Sequence, residues 1–181
     1  MRIYVVGFMG AGKTTIGELL GRRMETPFFD LDQLVEESEG MSIKEIFATR
    51  GEPYFRKRER DILLSTRHLE KCVVATGGGT FTFEDNIEFI RSEGLSIYLS
   101  APFLLLRGRI GEKAAERPMF RDDMATHALY QSRLKFYRMC DVCIEIREEE
   151  TPAEIVERLY LELPRDLRAT DRSRATGWEI G

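Results

Sequence analysis

The sequence predicts an α/β fold in which a mostly parallel sheet is covered by helices on both faces. Apolar runs of strand length alternate with longer segments of helical pattern along the 181 residues. The first of these runs leads through a glycine-rich loop directly into a helical segment. Strands that alternate with helices are joined by crossover connections, which place successive strands parallel to one another.

The elements follow from the apolar runs and from the residues that bound them. The strands are RIYVV, PFFD, CVVA, LSIYLS and VCIEI, each a short run of largely apolar residues. Between them, helical patterns cover Lys13 to Met24, about Leu31 to Arg67, Glu84 to Ser92, Pro102 to Ile110, and about Met124 to Met139, with a last helix after VCIEI.

Two helix starts carry a capping box, in which a side chain at each position accepts a backbone N–H of the other. Ser42 is followed three residues later by Glu45, and Thr151 by Glu154, with Pro152 at the first helical position. These pairs predict helices that begin immediately after Ser42 and Thr151.

One domain is expected, covering residues 1–163, with a disordered tail over residues 164–181. The last helix has an apolar stripe that includes Ile155, Leu159 and Leu163, which is typical of core packing. After Pro164 the chain mixes Arg, Asp, Thr and Gly and has few large apolar residues.

Composition excludes several classes of function. A formal net charge of -4 argues against a broad nucleic-acid surface, and no apolar run approaches the length of a membrane helix. Three cysteines cannot close into a disulfide framework. Cys140 and Cys143 spell Cys-x-x-Cys, but an offset of three along a strand points them to opposite faces, so we expect ordinary buried thiols. We expect a cytoplasmic protein that binds neither nucleic acid nor membrane.

A phosphate-binding loop is the clearest motif. Residues 7–14, GFMGAGKT, match G-x-x-x-x-G-K-[ST] between a predicted strand and a predicted helix. Its glycines let successive N–H groups point at phosphate oxygens, Lys13 adds a positive charge, and the Thr14 hydroxyl is placed to ligate Mg²⁺. A loop that merely joins strand to helix would not require Lys followed by Thr. The residues predicted to hold a nucleoside triphosphate are Gly10, Ala11, Gly12, Lys13, Thr14 and Thr15.

Asp30 and Asp32 end the second strand, at the edge of the sheet where α/β proteins bind ligands. In an extended segment an offset of two places both carboxylates on one face. One is then suited to help hold Mg²⁺ and the other to accept a proton from a substrate hydroxyl. The alternative is that one of them caps the following helix.

Further charged and glycine-rich positions complete the candidate site. Arg56 and Glu59 lie three apart on a predicted helix and are able to pair, although a solvated charged face is an equal alternative. The run TGGG includes Gly78 and Gly79 and suggests close approach of the backbone to a ligand, or a plain loop. Arg133 shares one side of a helix with two tyrosines and suits a carboxylate, or it is an exposed arginine.

A polar segment over about residues 110–123 lacks the periodicity of a packed element. It is expected either to close over the site as a lid or to form a surface loop. As a lid, it would bring Arg117 to the transferring phosphoryl group, where its charge stabilises the transition state.

Taken together and in order, GFMGAGKTT, DLD, YFRKRE, TGGG, ERPMF and the helix carrying Arg133 resemble the shikimate kinase family. The resemblance runs from about residue 2 to residue 163. It implies a P-loop kinase fold with a central five-stranded parallel sheet, flanking helices and a mobile lid. The implied reaction moves the γ-phosphoryl group of ATP to the 3-hydroxyl of shikimate, and we expect a monomer.

The resemblance also implies a role for each matching position. Lys13 and Arg117 would contact the phosphates, with Thr14 and Asp30 serving Mg²⁺, and Asp32 would bind and activate the acceptor hydroxyl. The residues implied to hold shikimate are Arg56, Arg133, Gly78 and Gly79. Glu59 would orient Arg56, and Arg107 or Arg109 would flank adenine.

Two other functions share the phosphate-binding loop. Gluconate kinase also phosphorylates a hydroxy acid, but that family usually carries a histidine shortly after its acidic pair, and DLDQLVEE contains none. A GTPase switch ordinarily carries an N-K-x-D signature, which the sequence lacks.

Overall fold

The computed structural model describes residues 1–111 and 122–168. Its strands are β1 (Arg2–Val6), β2 (Phe28–Asp30), β3 (Cys72–Ala75), β4 (Gly94–Ser100) and β5 (Val142–Glu145). They form one sheet in the order β2-β3-β1-β4-β5, and every neighbouring pair is parallel. The predicted α/β fold with a five-stranded parallel sheet is therefore confirmed.

Helices connect the strands at nearly the predicted positions. They are α1 (Lys13–Arg23), α2 (Leu31–Glu39), α3 (Ile43–Ser65), α4 (Glu84–Glu93), α5 (Phe103–Gly111), α6 (Asp123–Tyr137) and α7 (Pro152–Glu162). Short 3₁₀ turns cover Thr66–His68, Thr80–Thr82 and Arg165–Leu167. None of the described helices is long and apolar enough to cross a membrane.

The core lies on both faces of the sheet. Residues 3–6 of β1 and 72–75 of β3 are all buried, although successive side chains of a strand point to opposite faces. Burial of both sets requires helices on both sides, which explains why the strands read as continuous apolar runs.

Both predicted capping boxes are formed. The Ser42 side chain accepts the N–H of Glu45 at 3.3 Å, and the Glu45 carboxylate accepts the N–H of Ser42 at 2.8 Å. Thr151 and Glu154 repeat the arrangement at the start of α7, with the same two distances. Each box satisfies donors that the first turn of a helix leaves unpaired.

The long helix α3 is kinked, which the sequence pattern did not predict. Gly51 has φ 79° and ψ 168°, a conformation outside the helical region, and Pro53 follows it. The segment after the kink therefore starts afresh, with Pro53 in a first turn where its missing N–H costs nothing. Arg56 and Glu59 lie in this second segment.

A small core of its own supports α2 and α3. Val35 of α2 packs with Ile46 and Phe55 of α3, and each is less than 5% exposed. Because Ile46 precedes the kink and Phe55 follows it, this cluster fixes both segments of α3 against α2.

At the carboxyl end, the described chain continues past the predicted domain boundary at residue 163. Leu167 is 8% exposed, and Arg168 Nε donates to the carbonyl oxygen of Leu163 at 2.9 Å. The tail predicted over residues 164–181 thus includes residues 164–168, which are described and contain a 3₁₀ turn. Residues 169–181 lie outside the described part, as does most of the predicted lid with Arg117. The division into one domain and a tail stays a prediction.

All three cysteines are free thiols. Cys72 is buried and Cys140 is partly buried, but Cys143 is exposed, which corrects the expectation that all three are buried. Cys143 lies at a position of β5 whose side chain faces outward at the edge of the sheet. Burial raises the pKa of Cys140 to about 12, which disfavours a reactive thiolate.

Candidate active site

The phosphate-binding loop joins β1 to α1 in a backbone shape that requires glycine. Gly10 has φ 80°, and Gly12, the N-cap of α1, has φ 86°, both in the left-handed region. Within the described residues no side chain caps the start of α1, and its first turn contains no acid. The first N–H groups of α1 are thus left for an anion, and Lys13 Nζ lies over the same loop, donating to Phe8 O at 3.1 Å.

Asp30 joins the end of β2 to the phosphate-binding loop. Its Oδ2 accepts the hydroxyl of Thr14 at 2.6 Å, and its Oδ1 accepts the N–H of Asp32 at 2.9 Å. The second bond caps α2, so Asp30 is both a helix cap and a neighbour of the phosphate-binding loop. The two alternatives considered from the sequence are thus combined in one side chain.

Asp32 lies in the first turn of α2 and not in an extended segment with Asp30, so that part of the prediction is wrong. The helix begins at Leu31, as predicted, with Asp30 as its N-cap. The pKa of Asp32 is raised to about 7, first because burial disfavours the carboxylate and then because Glu59 and Asp30 lie nearby. Lys13 and Arg56 act in the opposite direction.

Arg56 and Glu59 form the predicted pair. Arg56 Nη1 lies 2.8 Å from Glu59 Oε2, and the Glu59 side chain is only 1% exposed. A second acid, Glu52, lies 3.1 Å from Arg56 Nη2. The guanidinium is therefore held from two sides, and the alternative of a fully solvated charged face is wrong for these residues.

The glycine run after β3 lies against the charged side chains of the site. A Cβ on Gly79 would stand 2.7 Å from both terminal nitrogens of Arg56, and one on Gly77 would collide with Glu59 and stand 2.9 Å from Asp32 Oδ1. A Cβ on Gly78 would lie 3.4 Å from Arg133 Nη1. None of these three glycines has a positive φ, so the run reflects close packing and not unusual backbone angles.

Arg133 of α6 is buried, at 7% exposure, which excludes the alternative of an exposed arginine. Its guanidinium lies 5.7 Å from the centre of the Phe8 ring. Over residues 1–111 and 122–168 it forms no ion pair with a carboxylate. A buried positive charge without an acidic partner is a suitable place for an anionic ligand.

Tyr137, one turn after Arg133, fixes the backbone of the glycine run. Its hydroxyl donates to the carbonyl oxygen of Gly78 at 2.5 Å, and its ring stacks on Tyr98 with centroids 5.2 Å apart. Burial raises the pKa of Tyr137, so the hydroxyl keeps its proton and remains a donor.

The two adenine-side candidates differ in position. Arg107 is exposed and pairs with Asp123, which joins α5 to α6. Arg109 is partly buried, and its Nη1 lies 3.5 Å from the carbonyl oxygen of Gly10 in the phosphate-binding loop. Of the two, Arg109 is the one next to that loop.

Two residues of this neighbourhood were not identified from the sequence. Phe8 lies under Arg133, and Thr80 donates its hydroxyl to Glu59 at 2.5 Å. Phe8 is one of the variable positions of the loop pattern, and Thr80 simply follows the glycine run. Only Thr80 could have been identified from the sequence, because a residue that follows a glycine run lies next to the groups that the glycines contact.

The described residues thus bring two positively charged regions to one edge of the sheet. Lys13 and the start of α1 form one region, and Arg56 and Arg133 form the other, next to adjacent glycines. A Cβ on Gly78 would lie 3.5 Å from the N atom of Met9, so the glycine run touches the phosphate-binding loop. With Asp32 nearby, the arrangement is able to hold two anions around a group that takes up a proton near neutral pH.

Comparison with known proteins agrees with this chemistry. The family model described as "Shikimate kinase" matches residues 9–164. The shikimate kinase of Aquifex aeolicus (strain VF5) is 37% identical over 164 residues, which are 90% of this chain and 96% of that protein. A structure of shikimate kinase from Acinetobacter baumannii in complex with shikimate is 33% identical, has a TM-score of 0.80, and is matched over 88% of this chain and 91% of that one.

A gluconokinase from Sinorhizobium meliloti 1021 is also similar in structure, with a TM-score of 0.54, but it is only 16% identical. That likeness shows the common kinase fold alone. The match to the shikimate kinases covers most of the sequence as well as the fold, so this chain belongs to the shikimate kinase family.

Proposed function

We propose that this protein is an ATP-dependent kinase that transfers the γ-phosphoryl group of ATP to the 3-hydroxyl of shikimate, giving shikimate 3-phosphate and ADP. The observation that carries the proposal is the place of Asp32. This carboxyl group has a pKa near 7 and interacts with Lys13 of the phosphate-binding loop and with Arg56 of the second positive region. The identity of the acceptor is inferred from the relatives, which are shikimate kinases. Asp32 is the base that the site provides for this acceptor.

ATP is held by the backbone of Gly10, Ala11 and Gly12 and by the first turn of α1. The left-handed glycines leave room for the phosphates, and the uncapped N–H groups at the helix start donate to their oxygens. Lys13 places its ammonium group against the β and γ phosphates. Thr14 and Thr15 extend the phosphate-binding site into the first turn of α1. Arg109 is the better placed of the two candidates for the adenine side.

Mg²⁺ fits the oxygen donors of Thr14 and Asp30. The Thr14 hydroxyl donates a hydrogen bond to Asp30, and its oxygen keeps lone pairs for a cation. Oxygen ligands of this kind are those that Mg²⁺ prefers. Among the described residues no group of three or more acidic, His or Cys side chains forms a protein-only metal site. Phosphate oxygens and water would therefore complete the coordination, and the bound ion would neutralise charge on the phosphates.

Shikimate is a rigid ring that carries one carboxylate and three hydroxyl groups. The buried guanidinium of Arg133 and the oriented guanidinium of Arg56 suit its carboxylate, and the backbone at Gly78 and Gly79 offers close contact without side chains. Tyr137 holds this backbone in place through Gly78 O.

In the reaction, Asp32 accepts the proton of the 3-hydroxyl as that oxygen attacks the γ phosphorus in line. A pKa near 7 suits a base at neutral pH, because a substantial fraction of the group is ionised and the carboxylate is still basic enough to take the proton. Lys13 stabilises charge on the transferring group, and positioning supplies much of the acceleration. The role of Arg117 at the phosphoryl group remains a prediction that lies outside the described residues.

The proposal includes a monomer that works in the cytoplasm without nucleic acid or membrane. The net charge of -4 and the three free cysteines support the location and the absence of a nucleic-acid partner.

The test is ADP release by the purified protein with MgATP in the presence of shikimate, gluconate or no acceptor. Turnover that requires shikimate is expected. Turnover with gluconate instead would reassign the acceptor, and ATP hydrolysis that ignores both acids would leave only the nucleotide half of the proposal.

A further inference from the structure

Thr80 is a fully buried residue at the start of the 3₁₀ turn that follows the glycine run, with no exposed surface. Its hydroxyl donates to Glu59 Oε1 at 2.5 Å, while Glu59 Oε2 accepts from Arg56 at 2.8 Å. The two oxygens of one buried carboxylate are thus held by two different residues. Thr80 itself reaches neither positive region.

This carboxylate occupies an unfavourable place. Glu59 is 1% exposed, and its negative charge acts on Asp32 and raises the pKa of that carboxyl group. Arg56 contacts only one oxygen of the Glu59 carboxylate. This single contact would leave the carboxylate free to rotate. The Thr80 hydroxyl binds the other oxygen and removes that freedom.

The backbone of Thr80 is itself fixed by a hydrogen bond from α4. The side-chain nitrogen of Asn86 donates to the carbonyl oxygen of Thr80 at 2.9 Å, and Asn86 is only 3% exposed. Arg60 Nη1 donates to Asn86 Oδ1 at 2.8 Å. A series of hydrogen bonds therefore links α4 and α3 to the glycine-run turn, with Thr80 and Asn86 buried and Arg60 partly exposed.

We propose that Thr80 is a positioning residue for the acceptor half of the site: its hydroxyl fixes the Glu59 carboxylate and so sets the direction of the Arg56 guanidinium. The inference rests on the proposed function. In this role Thr80 acts on the acceptor only through Glu59 and Arg56.

The direct test is steady-state kinetics of Thr80→Val, which keeps the shape of the side chain and removes the hydroxyl. We expect the KM for shikimate to rise about tenfold, as for loss of one hydrogen bond to a charged group, with the KM for ATP unchanged. Thr80→Ser, which restores the hydroxyl, is expected to bring the KM for shikimate back to the level of the unmodified protein. If Thr80→Val does not fold, Thr80→Ala removes the same hydroxyl from a smaller side chain.

Thr66→Val is the matched control. Thr66 is also buried, and its hydroxyl donates to Leu63 O at 2.6 Å at the far end of α3. We expect this variant to lose stability to a similar degree without a change in either KM. A rise in both KM values for Thr80→Val, or the same rise for Thr66→Val, would mean that general loosening is the cause and would overturn the inference.

A double-mutant cycle separates action through Glu59 from an independent effect. In a Glu59→Ala background the hydroxyl has lost its acceptor, so adding Thr80→Val should change the KM for shikimate by less than about twofold. A further tenfold rise would show that Thr80 acts on its own and would refute the inference. If the unmodified protein does not phosphorylate shikimate at all, the proposed function fails instead, which the same assay shows before any variant is made.

Discussion

Asp32 is the residue at which burial and charge oppose each other most clearly. Its pKa is raised from an ordinary value near 3.8 to about 7, mainly by burial. A carboxyl group with a raised pKa in the folded protein favours folding below its ordinary pKa, and this contribution is lost as the pH rises through 7. The ionised form that the proposed reaction needs is therefore the form that destabilises the fold.

Asp32→Asn is expected to abolish turnover and to increase stability. The neutral amide cannot accept a proton, but it removes the buried charge, so the Tm at pH 8 should rise by a few degrees. The gain should shrink as the pH falls from 7 towards 4, because the native carboxyl group is then protonated. Nucleotide titration should show unchanged ATP binding, and thermal melts at several pH values measure the rest.

The unmodified protein should show the matching pH dependence in its rate. We expect kcat with shikimate to rise with pH through about 7, as Asp32 loses its proton. A rate that is flat between pH 6 and 8, together with substantial turnover by Asp32→Asn, would contradict the assignment of the base.

At Gly79 a single added methyl group should weaken the binding of shikimate and leave the binding of ATP unchanged. In Gly79→Ala the new Cβ would stand 2.7 Å from the Arg56 guanidinium, so that side chain must move. We expect the KM for shikimate to rise about tenfold or more, with the KM for ATP unchanged. Gly108→Ala is the control, since no described atom lies within 4 Å of its added Cβ, and it should leave both KM values unchanged.

At the scale of elements, the kink of α3 determines where the acceptor arginine lies. Gly51 adopts φ 79° and ψ 168°, a region that side chains other than glycine rarely adopt. The segment after it carries Arg56 and Glu59, and the small core around Phe55 fixes this segment on α2. The kink thus sets the angle at which Arg56 enters the site.

Gly51→Ala should therefore reduce both stability and shikimate binding. We expect an unfolding free energy lower by about 2 kcal/mol and a raised KM for shikimate. Gly40→Ala is the matched control, because Gly40 is also left-handed, at φ 64°, but has no described atom near its added Cβ. It should lose about 1 kcal/mol and keep its kinetics. If both variants had the same kinetic constants, the kink would not determine the position of Arg56 in the site.

The elements predicted most accurately from the sequence are those whose ends have local causes. Ser42 and Thr151 mark helix starts through capping boxes that need only residues three positions away. The kink at Gly51 was not predicted, although Gly51 and Pro53 are local helix-breaking residues. The extended geometry expected for Asp30 and Asp32 was wrong because Asp30 caps α2, which places Asp32 in the first turn of the helix.

At the scale of the whole molecule, strand order explains why the site forms. The phosphate-binding loop follows β1, the glycine run follows β3, and Asp30 ends β2, and these are three neighbouring strands of the sheet. Parallel strands bring their carboxyl ends to one edge, so residues far apart in sequence meet there. The residue types of the site were predictable from motifs. The contacts of Thr80 and Phe8 were not, because they depend on the order of strands and on side chains from α3 and α6.

The carboxyl end of the domain offers a prediction about overall stability. Leu167 is buried, and Arg168 bonds back to Leu163, so the chain ended after residue 168 should keep its Tm and its activity. A chain ended after residue 163 loses the burial of one leucine, and its Tm should fall by roughly 4 °C or more. Thermal melts of the two shortened proteins make the comparison. Equal melting temperatures would place the domain boundary at residue 163.

Arg133 places stability and recognition in conflict. Its buried guanidinium has no carboxylate partner among the described residues, so an acid introduced beside it would complete an ion pair within the chain. Such a change would make the protein easier to fold and would also occupy the charge that an incoming substrate needs. Random mutation followed by selection for heat resistance alone should therefore favour acidic residues beside Arg133, and selection for shikimate phosphorylation should remove them.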